Sequence, residues 1–217
     1  MLAQSCGVLL RSVIVSSLMI EHGPARESEV VLAFLKAEVD ASRYGETVRG
    51  LLQGIGAARE QLIDNADPGH ALQNVLRRWL LTAYRGFETR QFLFLGFPTD
   101  VYWRRVELEP HELGRLKYPR EVNWIRFSEE TRRPSRLCER LARGELADDP
   151  GERVKAIQEK LKRGERFPEL VAADGQNGDL ILFEGCSRAT AYVGLNWPEK
   201  IPMFLASSQF MHGWHFY

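Results

Sequence analysis

The apolar run Leu-Ile-Leu-Phe-Glu, residues 180–184, meets Gly185 and then Cys186-Ser187-Arg188, where a helix-like segment to Leu195 begins. This junction constrains the chain more than any other stretch. A greasy strand that turns through one glycine into a helix needs a sheet to receive it and helices to cover it. The corner itself has three readings: a phosphate-binding turn, a reactive-cysteine site, or a tight bend. A strand-to-helix corner exposes unpaired amides, and the helix dipole adds positive potential there. Gly185 lets backbone approach closely, Ser187 offers a hydroxyl, and Arg188 offers a forked cation. Equally, Gly185 can simply turn the chain while Ser187 caps the helix and Arg188 pairs with Glu184.

The flanking segments extend the pattern. Residues 149–164 place Asp149 as a cap, Pro150 at the first helical position and Glu152 three residues after the cap. Val154, Ile157 and Leu161 form the inward stripe and Gly164 stops the helix. Glu-Leu-Val-Ala-Ala-Asp then reads as a strand, Gly-Gln-Asn-Gly-Asp as a turn, and Ile-Pro-Met-Phe-Leu-Ala as a closing strand. Upstream, Val-Tyr-Trp-Arg-Arg-Val-Glu-Leu reads as a strand, Pro-His-Glu-Leu-Gly-Arg-Leu as a short helix, and Val-Asn-Trp-Ile-Arg-Phe as another strand. Pro-Ser-Arg-Leu-Cys-Glu-Arg-Leu is helical, with Cys138 beside Leu137 and without a chemical role.

The first hundred residues look helical. Val30, Val31, Phe34 and Leu35 recur at helical spacing, as do Val48, Leu51, Leu52, Ile55, Leu62 and Ile63. Gly54 and Gly56 weaken that second helix. A third is expected from Asp67 as cap and Pro68 at the first position, burying Leu72, Val75, Leu76, Trp79 and Leu80, with Arg77, Arg78 and Arg85 outward. Phe92, Phe94, Phe97, Tyr102 and Trp103 are candidates for packing or an interface. The expected fold is therefore α+β: a mainly helical region, residues 1–98, packing on a mixed α/β domain, residues 99–217, with an aromatic tail that folds back.

Charge narrows the partners. Twenty-nine basic and 29 acidic residues give zero formal charge, and residues 101–170 hold seventeen basic against fourteen acidic. That excess falls short of a typical DNA-binding footprint. The cluster Arg-Arg-Pro-Ser-Arg-Leu-Cys-Glu-Arg can contact backbone phosphates or form a charged helix face. Cys6, Cys138 and Cys186 are too scattered for a metal site or a disulfide scaffold, and His212 and His215 read as incidental. The N-terminal apolar stretch is interrupted by Arg11 and is read as a buried helix or strand of a cytoplasmic protein, with no membrane partner.

From Val154 to Leu205 the order of elements resembles the domain shared by ParB chromosome-partitioning proteins and sulfiredoxins. It has a helix ending near a glycine, Pro into a strand, a turn, a strand, a Gly-x-x-Arg corner opening a helix, and a last strand with Pro. Val106 to Leu116 supplies an opening strand and helix, so the resemblance spans about residues 101–206. It implies a nucleotide or phosphorylated small molecule held by Gly185, Cys186, Ser187 and Arg188. Glu184 would serve as a magnesium ligand or general base, Glu152 and Asp179 being weaker acidic candidates. ATP or another nucleotide with magnesium is the implied cofactor set, and a small-molecule phosphotransferase the leading activity. Sulfiredoxins carry Gly-Cys-His-Arg here, which aligns Cys186 with their nucleophile and Arg188 with the arginine that activates it, but Ser187 replaces the histidine. A helix N-terminus beside Arg188 is expected to lower the thiol's pKa. The alternative is a non-catalytic regulatory, nucleic-acid-associated or protein-binding module. In ParB proteins a DNA-reading domain follows, and Ala206 to Tyr217 is too short to hold one.

Overall fold

The computed structural model describes residues 19–146 and 149–217, with the side chain of Asp149 outside them. The N-terminal segment 1–18 and the proposed Asp149 cap therefore lie outside the described residues. Six strands form one mixed sheet in the order β1 (Ile20–Pro24), β2 (Tyr102–Leu108), β6 (Ile201–Ser207), β4 (Leu170–Asp174), β5 (Leu180–Glu184) and β3 (Leu116–Lys117). β6 runs parallel to β4 and antiparallel to β2; β4 and β5 form an antiparallel hairpin, and β3 pairs parallel with β5.

Alternation along the central strands builds two cores. Val171 and Ala173 of β4, Ile181 and Phe183 of β5, and Phe204 and Ala206 of β6 face α1 (Glu27–Glu38), α2 (Gly45–Gly54) and α3 (Ala71–Arg85). Leu170 and Ala172, Leu180 and Leu182, and Met203 and Leu205 face the other way, toward α5 (Pro134–Ala142), α6 (Asp149–Lys162) and α7 (Cys186–Gly194). With helices on both faces, apolar side chains are required at every central position, which explains why LILF shows no polar alternation. The N-terminal helices share one core with the sheet, and β1, also from the N-terminal half, forms its edge. Among the described residues no helix is long and apolar enough to cross a membrane.

Several expectations change. Val122–Phe127 is a helix, α4, not a strand: the Glu121 carboxylate accepts from the Trp124 amide at 3.3 Å, and Trp124 stacks on Tyr118 at 4.5 Å. The expected second helix is two pieces, α2 and a π-helical turn Glu60–Asp64, because Gly56 adopts φ +64° between them. Asp67 caps only a turn, its carboxylate taking the Gly69 amide at 2.7 Å, and α3 starts at Ala71 behind His70.

The buried face of α3 is also rotated from the expected one. Leu72, Val75 and Trp79 are 67%, 51% and 43% exposed, while Arg77, Leu80 and Leu81 are buried. The reason is hydrogen bonding. Arg77 donates to the Leu62 carbonyl at 2.8 Å, to the Asp67 carbonyl at 3.1 Å and to the side chains of Gln73 and Asn74. It thereby closes the loop between the π-helical turn and α3, where unpaired buried carbonyls would be costly.

Arg77→Met is expected to lower the unfolding free energy by about 2–3 kcal/mol, since it strips the buried Leu62 carbonyl of its donor. Arg78→Met, which removes only partly exposed pairs to Glu27 and Glu88, should lower it by under about 1 kcal/mol. Urea unfolding of both variants checks this; equal losses would show that Arg77 does not hold the loop.

Candidate functional site

β5 delivers Glu184 to the end of the sheet, and Gly185 turns the chain at φ +95°. A Cβ at Gly185 would sit 2.3 Å from Leu170 Cδ2, so both the left-handed backbone and the close packing on β4 require glycine. No side chain caps the first turn of α7. Ser187 therefore does not cap it, and the turn's amides retain their capacity to donate.

This corner forms part of the wall of a cavity of about 710 Å³, a size suited to a small-molecule ligand. Glu184, Gly185, Cys186, Ser187 and Arg188 all line it. Most of the wall comes from residues outside that corner. Glu38, the last residue of α1, and Tyr84 and Arg85 at the end of α3 join the corner there. Arg85 was expected outward. Instead its guanidinium grips the Glu38 carboxylate through Nε at 2.9 Å and through Nη2, lies 3.8 Å from Glu184 and covers the Tyr44 ring at 3.8 Å. Tyr84 donates to the other Glu38 oxygen at 2.5 Å. A signal for Glu38 was present: it follows Phe34 by four residues, placing a carboxylate on the buried stripe of α1.

The electrostatics follow from burial. Glu38 is 2% exposed. Burial pushes its carboxyl up to about 7, with Arg85 pulling down and the Glu184 charge pushing up again. Burial also raises the Tyr84 phenol, and the Glu38 charge adds to it. Arg85 keeps its proton firmly: burial works against the cation, but the Glu38 charge and hydrogen bond outweigh it.

Two expectations for the corner shift. The Cys186 thiol is pushed up, not down, because burial dominates and Glu184 adds to it against Arg85 and Arg188. Both effects oppose the thiolate that an activated nucleophile requires. Arg188 is buried, and its guanidinium donates to the carbonyls of Pro168 and Glu169 and lies 3.3 Å from Glu184. It ties the loop before β4 to the corner.

Glu184 does not fit a resident divalent cation, since two guanidinium groups already face it and the positive charges would repel. Among the described residues no group of three or more His, Cys, Asp and Glu is placed to hold a metal. Asp179 lies at the opposite end of β5, paired with Lys117 at 2.5 Å and Arg133 at 2.6 Å, and Glu152 is exposed on α6. Neither lines the cavity.

The raised Glu38 carboxyl has a consequence for stability. Its folded value of about 7 exceeds the ordinary 4.5, so between the two the folded chain holds a proton that the unfolded chain has released. Its stabilising contribution is full below 4.5 and is lost as pH rises through about 7. The wild type should therefore lose on the order of 3 kcal/mol relative to Glu38→Gln across that window. Denaturant melts of both proteins at stepped pH provide the measurement, and a difference that stays flat would show that Glu38 titrates normally.

No family model, no curated protein and no solved structure matches this chain.

Proposed function

We propose that the cavity binds a phosphorylated small molecule, foremost a nucleotide such as ATP, and that the protein is a small-molecule phosphotransferase. The observation that carries the reading is a juxtaposition. The uncapped first turn of α7, a carboxyl poised near neutrality and a set of cations without carboxylate partners line one chamber. Lys36, Arg43 and Arg166 are those cations among the described residues, and Lys160 shares its neighbouring acid, Asp40, with Arg59. The acids beside them are already engaged: Asp40 with Arg59 at 2.6 Å, Glu165 with Arg163 at 2.7 Å, and Glu121 as the cap of α4. The chamber therefore carries positive potential that an anion would neutralise. The resemblance of residues 101–206 to the ParB and sulfiredoxin domain supports the same assignment.

In this reading the amides of Cys186 and Ser187, with Lys36, Arg43 and Arg166, receive the phosphates. Arg188 holds the corner in shape. An acceptor hydroxyl attacks the terminal phosphorus, its proton passes to Glu38, and the bond to the leaving phosphate oxygen breaks with its electron pair going to that oxygen. Arg85 stabilises Glu38 while it is ionised. Magnesium would arrive with the nucleotide, held by the phosphates.

A non-catalytic protein-binding module is the second reading. The exposed side chains of Leu72, Val75 and Trp79 along α3 favour it.

Calorimetric titration with ATP, ADP, CTP and inorganic phosphate, each with and without magnesium, tests the first reading. At least one nucleotide should bind, and Lys36→Ala with Arg166→Ala should weaken it by roughly tenfold or more. Glu38→Gln should slow phosphoryl transfer by roughly a hundredfold or more while leaving that affinity within about threefold. A folded wild type that binds no phosphate compound would overturn the reading and favour the module.

A further inference from the structure

Six aromatic residues line the cavity, and five have their rings engaged. Arg85 covers Tyr44, Tyr84 donates to Glu38, and Trp124 stacks on Tyr118. Phe167 packs on the core beneath α6 and α7, and Phe216 lies 5.0 Å from the His215 ring and 6.1 Å from Trp214. Phe92 is the exception: it is 64% exposed and has no ring partner among the described residues.

Its exposure is imposed by the surrounding chain. Phe92 adopts φ +47°, a left-handed conformation that a bulky side chain rarely takes. The loop on either side is fixed. Gly86 sits at φ +73° with Gln91 packed where its Cβ would be, and its carbonyl accepts from the Gln91 amide at 3.1 Å. Phe94 and Phe97 are buried in a ring cluster with Phe183 and Trp214. The Trp214 indole donates to the Leu93 carbonyl at 2.8 Å, and the Leu95 carbonyl accepts from the His215 amide at 2.9 Å. A free loop would relax Phe92 onto apolar surface; these anchors hold its ring at the cavity instead.

We propose that Phe92 is the stacking platform for a planar ring of the cavity's ligand, which makes an aromatic heterocycle bearing phosphate the preferred class over sugar or alkyl phosphates. The inference rests on the phosphate reading of the same chamber. It adds that ligand choice is made partly by π-contact from the N-terminal half of the chain. Stacking accepts any base with a π-face, so the preference is for a ring and not for one hydrogen-bonding edge.

The test titrates the wild type, Phe92→Ala and Phe92→Trp with ATP and tripolyphosphate. Phe92 is exposed, so both variants should keep the wild-type melting temperature. ATP should bind the wild type roughly 5- to 100-fold tighter than tripolyphosphate. Phe92→Ala should erase that gap by weakening ATP alone, and Phe92→Trp should restore it. Equal wild-type affinity for ATP and tripolyphosphate, or a gap that survives Phe92→Ala, would overturn the platform while the phosphate reading stands. If neither phosphate compound binds, the phosphate reading fails and the platform for a phosphate-bearing ring fails with it, whereas binding of both with ATP favoured only in chains that keep an aromatic ring at residue 92 upholds it.

Discussion

Arg85 is the contact through which the helical half and the sheet half share a site. It leaves α3, bonds Glu38 at the end of α1, and faces Glu184 at the end of β5. Without it two carboxylates would line one partly desolvated chamber with only Tyr84 and Arg188 beside them. Like charges in such a setting are expensive, and losing one partner of a buried pair costs about 3–5 kcal/mol. A buried ion pair is seldom the most stable filling for a core, since apolar residues of similar volume serve as well or better. Its presence beside a cavity is therefore not accounted for by stability alone.

The geometry of the corner depends on the sheet being covered on both faces. Because helices pack on each side, the first four residues of β4 and of β5 are apolar, and the first polar residue after LILF emerges at the sheet's end. Gly185 then brings α7 against Leu170 without a side chain between them. Arg188 fastens the loop before β4 to the start of α7 through two carbonyls. Tyr118, hydrogen-bonded to Thr190 at 2.5 Å, holds the next turn of α7 from within the same core. The first turn of α7 is thus fixed from two directions, which is the preorganisation that anion recognition by amides requires.

Much of this was legible in the residues. Strands β4 and β5 stand out as continuous apolar runs bounded by glycine or proline, and helix α6 by its helical periodicity. The corner was legible for the same reason, and the aromatic tail folds back as its composition suggested, with Trp214 stacked on Phe183 at 4.0 Å. Two of the misreadings share a cause: backbone acceptors and caps are invisible to a hydrophobic pattern. VNWIRF has strand-like side chains, but a carboxylate one residue earlier caps it as a helix. Arg77 looks like a surface residue until the carbonyls of Leu62 and Asp67 need a donor. Half of the cavity escaped notice because Glu38, Tyr84 and Arg85 reach the corner only through the tertiary fold.

A formal charge of zero over the whole chain conceals how differently its cations are employed. The arginines of RRPSRLCER act as staples. Arg132 donates to the carbonyls of Tyr118 and Tyr217, and Arg133 to Gly114 and to Asp179. Arg136 pairs with Glu129 and Glu139, and Arg140 holds the carbonyls of Arg126 and Phe127. Groups so occupied would have to break internal bonds to meet a phosphate backbone, which weakens the case for that cluster as a nucleic-acid surface. Lys36, Arg43 and Arg166 are in the opposite situation, beside a cavity and beside acids that already have partners. The cations of that cluster are thus largely consumed in holding loops, whereas Lys36 and Arg166 stand at the cavity wall without a carboxylate pair.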